Sequence, residues 1–430
     1  MDDFYPCCQN KASSCSWLNF KQKSFGSVKL CPRFLQMKQF LTIQKQLEKN
    51  NVDAWILVDY ENKNKTVVSF LGDKMLTRKI ILVFPKGKRP YIICHSIDTV
   101  FLNSPEINKD FDLKVYHRWQ EMLQIEKDSF KEYKKVYMDV SENGLLPRIA
   151  LADYGSVEFI KSLGIEILSS GDLLQQFNAV YSSRAHKLQL QACFLALQIK
   201  DEAFSFIKKE ISEKGSVEEY AVSQFICKRF HKEGMVYDDP AIVAKGKNAS
   251  NPHYGPSENA SSLIVKEDVV LIDMWAKMDD PEGVYADITW MGYVGKEVPS
   301  EIEKRFQVLK TAIDMDIAFL NKNLPLRRVE GYEVDDVGRS YIEKMGYGEY
   351  FTHRTGHSIA VDVSPHGPGV NIDNYESHDT REIPDGVTFS LEPGIYAPDY
   401  GMRSETDVYI ENRKAIAVGG RQEHVIAILK

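Results

Sequence analysis

No stretch of the chain reaches the roughly 18 to 20 consecutive uncharged apolar residues that a membrane-crossing helix needs, so no membrane partner is expected. Basic residues are in the minority: 54 Lys and Arg stand against 61 Asp and Glu, a formal net charge of −7. The electropositive face that a phosphate backbone requires is missing, which excludes nucleic acid as a partner. Cysteine is scarce. The seven, Cys7, Cys8, Cys15, Cys31, Cys94, Cys193 and Cys227, are odd in number and show no paired metal-ligand spacing, a pattern that fits reduced thiols in the cytoplasm. Low-complexity segments and short repeats are absent too, and 43% hydrophobic against 27% charged residues is a globular rather than a disordered or fibrous balance. Residues 1–36 hold four of the cysteines with no apolar period. Asp2 and Asp3 stand where a secretory signal carries basic residues, and no apolar core follows, so the segment reads as a poorly ordered extension.

From Met37 to residue 181 the texture is that of a smaller α/β domain. A helix ends near Lys49 and a strand follows at Ala54 to Val58. Lys79 to Phe84 and Pro90 to His95 flank Pro85-Lys86-Gly87-Lys88 and predict a hairpin. Val136 to Val140 predicts a further strand, Val157 to Leu163 a helix, and Ile165 to Leu168 a strand; no catalytic constellation lies in this half. Beyond Ser182, residues 182–430 turn to long amphipathic helices alternating with apolar strands, the texture of an α+β domain. Ser216 with Glu219 and Ser300 with Glu303 have capping-box spacing, each ahead of residues at helical period. Strand-like runs lie at Val269 to Ile272, Tyr285 to Gly292, Thr388 to Leu391 and Thr406 to Ile410.

Five potential metal ligands sit on or beside those runs: Asp273, Asp287, His357, Glu392 and Glu405. Burying a carboxylate costs several kcal/mol unless it is paired, and four in one pocket repel strongly without cations. Two divalent ions would cancel the four charges. An oxygen-rich set with one imidazole favours manganese, with cobalt or zinc next, over magnesium or calcium.

Order and flanks together resemble the pita-bread metallopeptidases, in their Xaa-Pro aminopeptidase and prolidase branch. The motifs stand here as Leu271-Ile272-Asp273, Asp287-Ile288-Thr289, Thr355-Gly356-His357-Ser358-Ile359, Leu391-Glu392-Pro393-Gly394-Ile395-Tyr396 and Arg403-Ser404-Glu405. The resemblance covers residues 182–430 and implies a pita-bread catalytic domain preceded by a smaller creatinase-like α/β domain. It implies that Asp273 chelates one metal, His357 and Glu392 bind the other, and Asp287 and Glu405 bridge the two. Glu392 would also be the general base, His253 would assist proton transfer at the substrate, and His366 would hydrogen-bond the developing oxyanion. His353 and Arg403 match positions that brace such a site. The implied partners are a small peptide substrate and a second copy of the chain in a homodimer. Hydrolysis of the N-terminal peptide bond, at Xaa-Pro, is the implied activity, with a prolidase or a non-catalytic pita-bread binding protein as alternatives. The chain also departs from the family pattern. Trp275 occupies the glycine position of the common Asp-x-Gly-Ala, the segment between Asp273 and Asp287 is three residues longer than is common, and Trp290 replaces an arginine. Ser364 stands where a histidine is expected, so His366 fits only across a two-residue insertion.

Overall fold

The computed structural model describes residues 32–72, 74–361 and 364–430. The expected extension lies outside these residues as far as position 31. Residues 32–36 belong instead to the first helix, Pro32–Lys49, which corrects the boundary at Met37. Proline is well tolerated in the first turn of a helix, where its missing N–H has no intrahelical partner to lose.

A six-stranded sheet organises the first half, in the order Asp112–Tyr116, Tyr91–His95, Ile80–Pro85, Ala54–Asp59, Lys135–Met138, Glu166–Ser169. Every residue of Ala54–Asp59 and Ile80–Pro85 is buried; strands covered on both faces read as unbroken apolar runs rather than alternating ones. The expected hairpin forms, with Leu82 opposite Ile92. Ala54–Asp59 pairs parallel to Lys135–Met138 on its other side. The strand Asp112–Tyr116 goes unpredicted because four of its five residues are exposed or half-buried and leave no apolar pattern.

Ser182 accepts a hydrogen bond from Ala185 N and caps the 32-residue helix Ser183–Lys214, which stops at Gly215 in the left-handed conformation. The strands Val269–Met278 and Ala286–Tyr293 pair antiparallel over eight residues. Ile242–Lys245 flanks the first and Ile426–Ala427 the second. Side chains alternate across this sheet. On one face Val270, Ile272, Met274, Ala276, Ala286 and Ile288 form a core with Ile199, Phe204, Val222 and Ile226 of the helices Ser183–Lys214 and Glu219–Lys232. Each large aliphatic side chain fully buried there contributes about 1.5–3 kcal/mol. On the opposite face Val269, Leu271 and Met291 pack on Phe306 and Leu309 of the helix Ser300–Asn323. The same alternation brings Asp273, Trp275, Asp287 and Thr289 to that second face. Thr388–Leu391, Thr406–Glu411 and Lys414–Ala417 make a three-stranded sheet, and Gly394–Tyr396 pairs with Gly401–Arg403. Among the described residues no helix is long and apolar enough to cross a membrane.

Neither expected capping box forms. The helix behind Ser216 starts at Glu219 with no side-chain cap, because Val217–Glu218 is drawn into pairing with Leu263–Ile264. Ser300 is the first residue of its helix, after Pro299, and the Glu303 carboxylate serves His424 Nδ1 at 2.8 Å and Val425 N at 3.1 Å instead. A reciprocal box does close the start of Gly331–Lys344, between Glu330 and Glu333.

Candidate metal centre

Asp273 lies mid-strand in Val269–Met278, whereas the sequence pattern ends the strand at Ile272; the ladder to Ala286–Tyr293 carries it onward. Opposite it stands Thr289, and opposite Trp275 stands Asp287, so the two aspartates are diagonal neighbours on one face. Glu392 and Glu405 flank the Leu391–Thr406 pair of the adjoining sheet. Backbone bonds fasten the pieces together: Glu405 N donates to Thr289 O at 3.2 Å, and Glu392 N to Thr355 O at 2.8 Å. His357 N donates to Ser390 Oγ at 3.0 Å. A Cβ at Gly356 would lie 1.9 Å from Ser390 O, so only glycine lets the histidine segment approach this closely.

All five predicted ligands line one cleft of about 910 Å³. Asp287, His357 and Glu405 offer ligand atoms within 4.8 Å of one another. His357 Nε2 is 3.6 Å from Asp287 Oδ2 and 3.4 Å from Glu392 Oε1. Its Nδ1 lies 3.1 Å from Ser358 O. A carbonyl can only accept, so Nδ1 carries the proton and Nε2 presents a lone pair to the carboxylates, the arrangement metal-binding imidazoles adopt. Burial holds His357 down to about 3, in its neutral form.

The carboxylates feel the opposite pressure. Burial first, then Asp273 and Asp407, hold Asp287 well above the carboxylate range; burial, then Asp287 and Glu392, do the same to Glu405. Asp273 is raised mainly by burial, against the pull of Arg403. Arg403 Nη2 donates to Asp273 Oδ2, Nε to Thr289 Oγ1 at 3.1 Å and Nη1 to Tyr396 Oη at 2.9 Å. One guanidinium does not balance four carboxylates. Oxygen-rich, short of positive charge and furnished with one neutral imidazole, the group fits divalent cations.

The remaining predicted residues share the cleft. His366 meets His357 edge to face, ring centres 4.1 Å apart, and is held down to about 3, first by His357 and then by burial. The described backbone on either side pairs Ile359 with His366, which brings His366 rather than Ser364 to His357. His253 is exposed on the cleft. His353 Nε2 lies 2.7 Å from Tyr396 Oη and so braces Arg403 from behind. Two residues escaped the sequence reading. Asp407 accepts from Asp287 N at 3.0 Å and is pushed up to about 8, chiefly by burial; its spacing of two from Glu405 was the available signal. Asp238 accepts from Trp275 Nε1 at 2.6 Å, and no local pattern marks it.

The Metallopeptidase family M24 model matches residues 190–412. An Xaa-Pro dipeptidase of Pyrococcus horikoshii is 25% identical over 368 residues, 85% of this chain and 92% of its own. A putative dipeptidase of Bacillus subtilis is 28% identical over 256 residues, 59% of this chain; the chain spans 64% of its length. The structure of a dipeptidase from Mycobacterium ulcerans superposes with a TM-score of 0.61 at 19% identity, over 91% of this chain and 98% of that one, a likeness of fold. The expected pita-bread architecture, a smaller α/β half before an α+β catalytic half, is the one found. With its metal-binding group set in the matched segment, this chain belongs to metallopeptidase family M24.

Proposed function

We propose that the enzyme removes the N-terminal residue of a peptide at an Xaa-Pro bond, with two manganese ions held by Asp273, Asp287, His357, Glu392 and Glu405. The observation that carries this reading is the convergence of four carboxylates and one neutral imidazole on a cleft that also holds His253 and His366. Two divalent ions in such a set supply Lewis acidity and bring the pKa of water toward neutrality. Glu392 accepts the proton of the attacking water and passes it to the leaving nitrogen. Ser390 Oγ, 3.1 Å from Glu392 Oε1, orients that carboxylate. His366 donates its ring N–H to the developing oxyanion, and His253 at the cleft rim assists the proton transfer.

A proline nitrogen has no hydrogen, so a peptidase that grips the scissile N–H loses a contact there. Protonating that tertiary nitrogen falls to Glu392. A prolidase restricted to dipeptides is the second reading, favoured by the similarity to the Xaa-Pro dipeptidase of Pyrococcus horikoshii. Manganese-loaded enzyme is to be offered Ala-Pro, Ala-Pro-Ala and Ala-Ala-Ala. The proposal expects Ala-Pro-Ala to be cleaved at least about tenfold faster than Ala-Ala-Ala. Equal rates would leave a general aminopeptidase, and turnover of Ala-Pro alone would establish the prolidase.

A further inference from the structure

Trp275 follows Asp273 on the same face of the first ligand strand and, with it, lines the metal centre's cleft. Residues two apart on a strand point the same way, so the indole shares the face of Asp273, and it stands opposite Asp287 in the ladder. Two sets of contacts make it a fixed wall. Its Nε1 donates to Asp238 Oδ1 at 2.6 Å, and the ring packs against a cluster of Val284, Tyr285 and Ile359. The turn that follows is tied down as well, since Asp280 and Glu282 both pair with Arg184. Where the common Asp-x-Gly-Ala pattern has no side chain, this chain fills the space beside Asp287 with an indole.

Charge orients a peptide in the cleft. On the side of Trp275 lie Asp238, which holds the indole, and the adjacent Asp239, exposed on the cleft lining. Near His366 lie two guanidiniums, Arg148 and Arg354. Arg354 Nη1 pairs with Glu376 at 2.9 Å, while its buried Nε has no hydrogen-bond partner among the described residues. A free α-ammonium would be drawn toward Asp239 and the indole face, and the carboxyl-terminal part of the peptide toward Arg354, the arginine of the two that lines the cleft.

We infer that Trp275 bounds the subsite for the residue on the N-terminal side of the scissile bond and restricts it to small side chains such as Gly, Ala or Ser. The inference rests on the peptidase reading above and adds the substrate class. Full-length wild type, Trp275→Ala and the milder Trp275→Leu, all manganese-loaded, are compared on Ala-Pro-Ala and Phe-Pro-Ala. Wild type should favour the alanine peptide by at least about tenfold in kcat/KM; Trp275→Ala should cut that ratio by a similar factor, with Trp275→Leu between. Calorimetry gives a second readout. Phe-Pro-Ala should bind the Glu392→Gln/Trp275→Ala double variant at least about tenfold more tightly than it binds Glu392→Gln. A ratio unchanged by either substitution, or a wild type indifferent to Phe against Ala, overturns the inference. Cleavage of Ala-Ala-Ala as fast as Ala-Pro-Ala overturns only the proline preference, and the wall is then judged in the same way on Phe-Ala-Ala against Ala-Ala-Ala. If no peptide is cleaved, the calorimetric comparison decides.

Discussion

A glutamate replaced by glutamine keeps its shape and loses the ability to take up a proton near neutral pH. Glu392→Gln is therefore expected to lower kcat by a factor on the order of 10² to 10⁴, with the melting temperature close to that of wild type. Turnover within a few-fold of wild type, at saturating manganese, would remove Glu392 as the base. Gly356 makes a steric prediction. With its Cβ position 1.9 Å from Ser390 O, Gly356→Ala should cost about 3 kcal/mol and weaken metal binding through His357; a denaturation midpoint equal to wild type's would refute it. At this scale the convergence of Asp273, Asp287, His357, Glu392 and Glu405 on one cleft was legible from the order and flanks of five motifs, and not from any of the residues taken singly. Asp238 was not legible. Its partner Trp275 lies 37 residues away, and only the fold brings them together.

Secondary-structure elements were legible where burial dictated composition and illegible where a polar residue had a distant partner. Glu219 illustrates this. Its spacing from Ser216 suggests a local cap, yet the buried carboxylate gathers a loop: it accepts from Lys245 N at 2.7 Å, Asn248 Nδ2 at 2.9 Å, Ser262 N at 2.8 Å and the Tyr254 hydroxyl. Those residues bracket His253. Glu219→Ala would take the carboxylate partner from four half-buried donors, of which Asn248 Nδ2 keeps Ser262 Oγ at 3.0 Å, at a cost of about 3 kcal/mol. Urea denaturation measures the loss, and a change below about 0.5 kcal/mol would show that water replaces the carboxylate freely. The missed edge strand Asp112–Tyr116 has a different cause. Its exposed side chains leave the ladder as its only signal, and a ladder is invisible in one sequence.

For the molecule as a whole, mutual repulsion within the carboxylate group makes metal binding part of folding stability. Manganese at about a hundredfold over its dissociation constant should add roughly 2.7 kcal/mol, a rise of several degrees in the melting temperature that chelator reverses. Identical melting curves with manganese and with chelator would contradict a buried two-metal site. That an α/β half precedes an α+β half was legible from the change of texture along the chain; Ser182, where the texture changes, caps the helix Ser183–Lys214. How the halves meet was not legible, since the contacts, apolar and polar alike, join residues far apart in the chain: Ala179 packs with Ile313 and Val387. Arg328 reaches Asp172 at 2.6 Å, and Gln175 Nε2 reaches Glu382 O at 2.8 Å.

One of those bonds runs from Arg148 to the carbonyl of Gly367, the residue next to His366, and Arg381 holds the next carbonyl, Pro368 O, at 2.7 Å. The segment carrying His366 is thus suspended between anchors in both halves, like a plank resting on two banks. Catalytic fitness and the upkeep of the first half are then inherited together. A drifting residue near Arg148, far from any metal ligand in the chain, would be felt as a histidine out of alignment, and a catalytic half transplanted without its companion would arrive with one support missing.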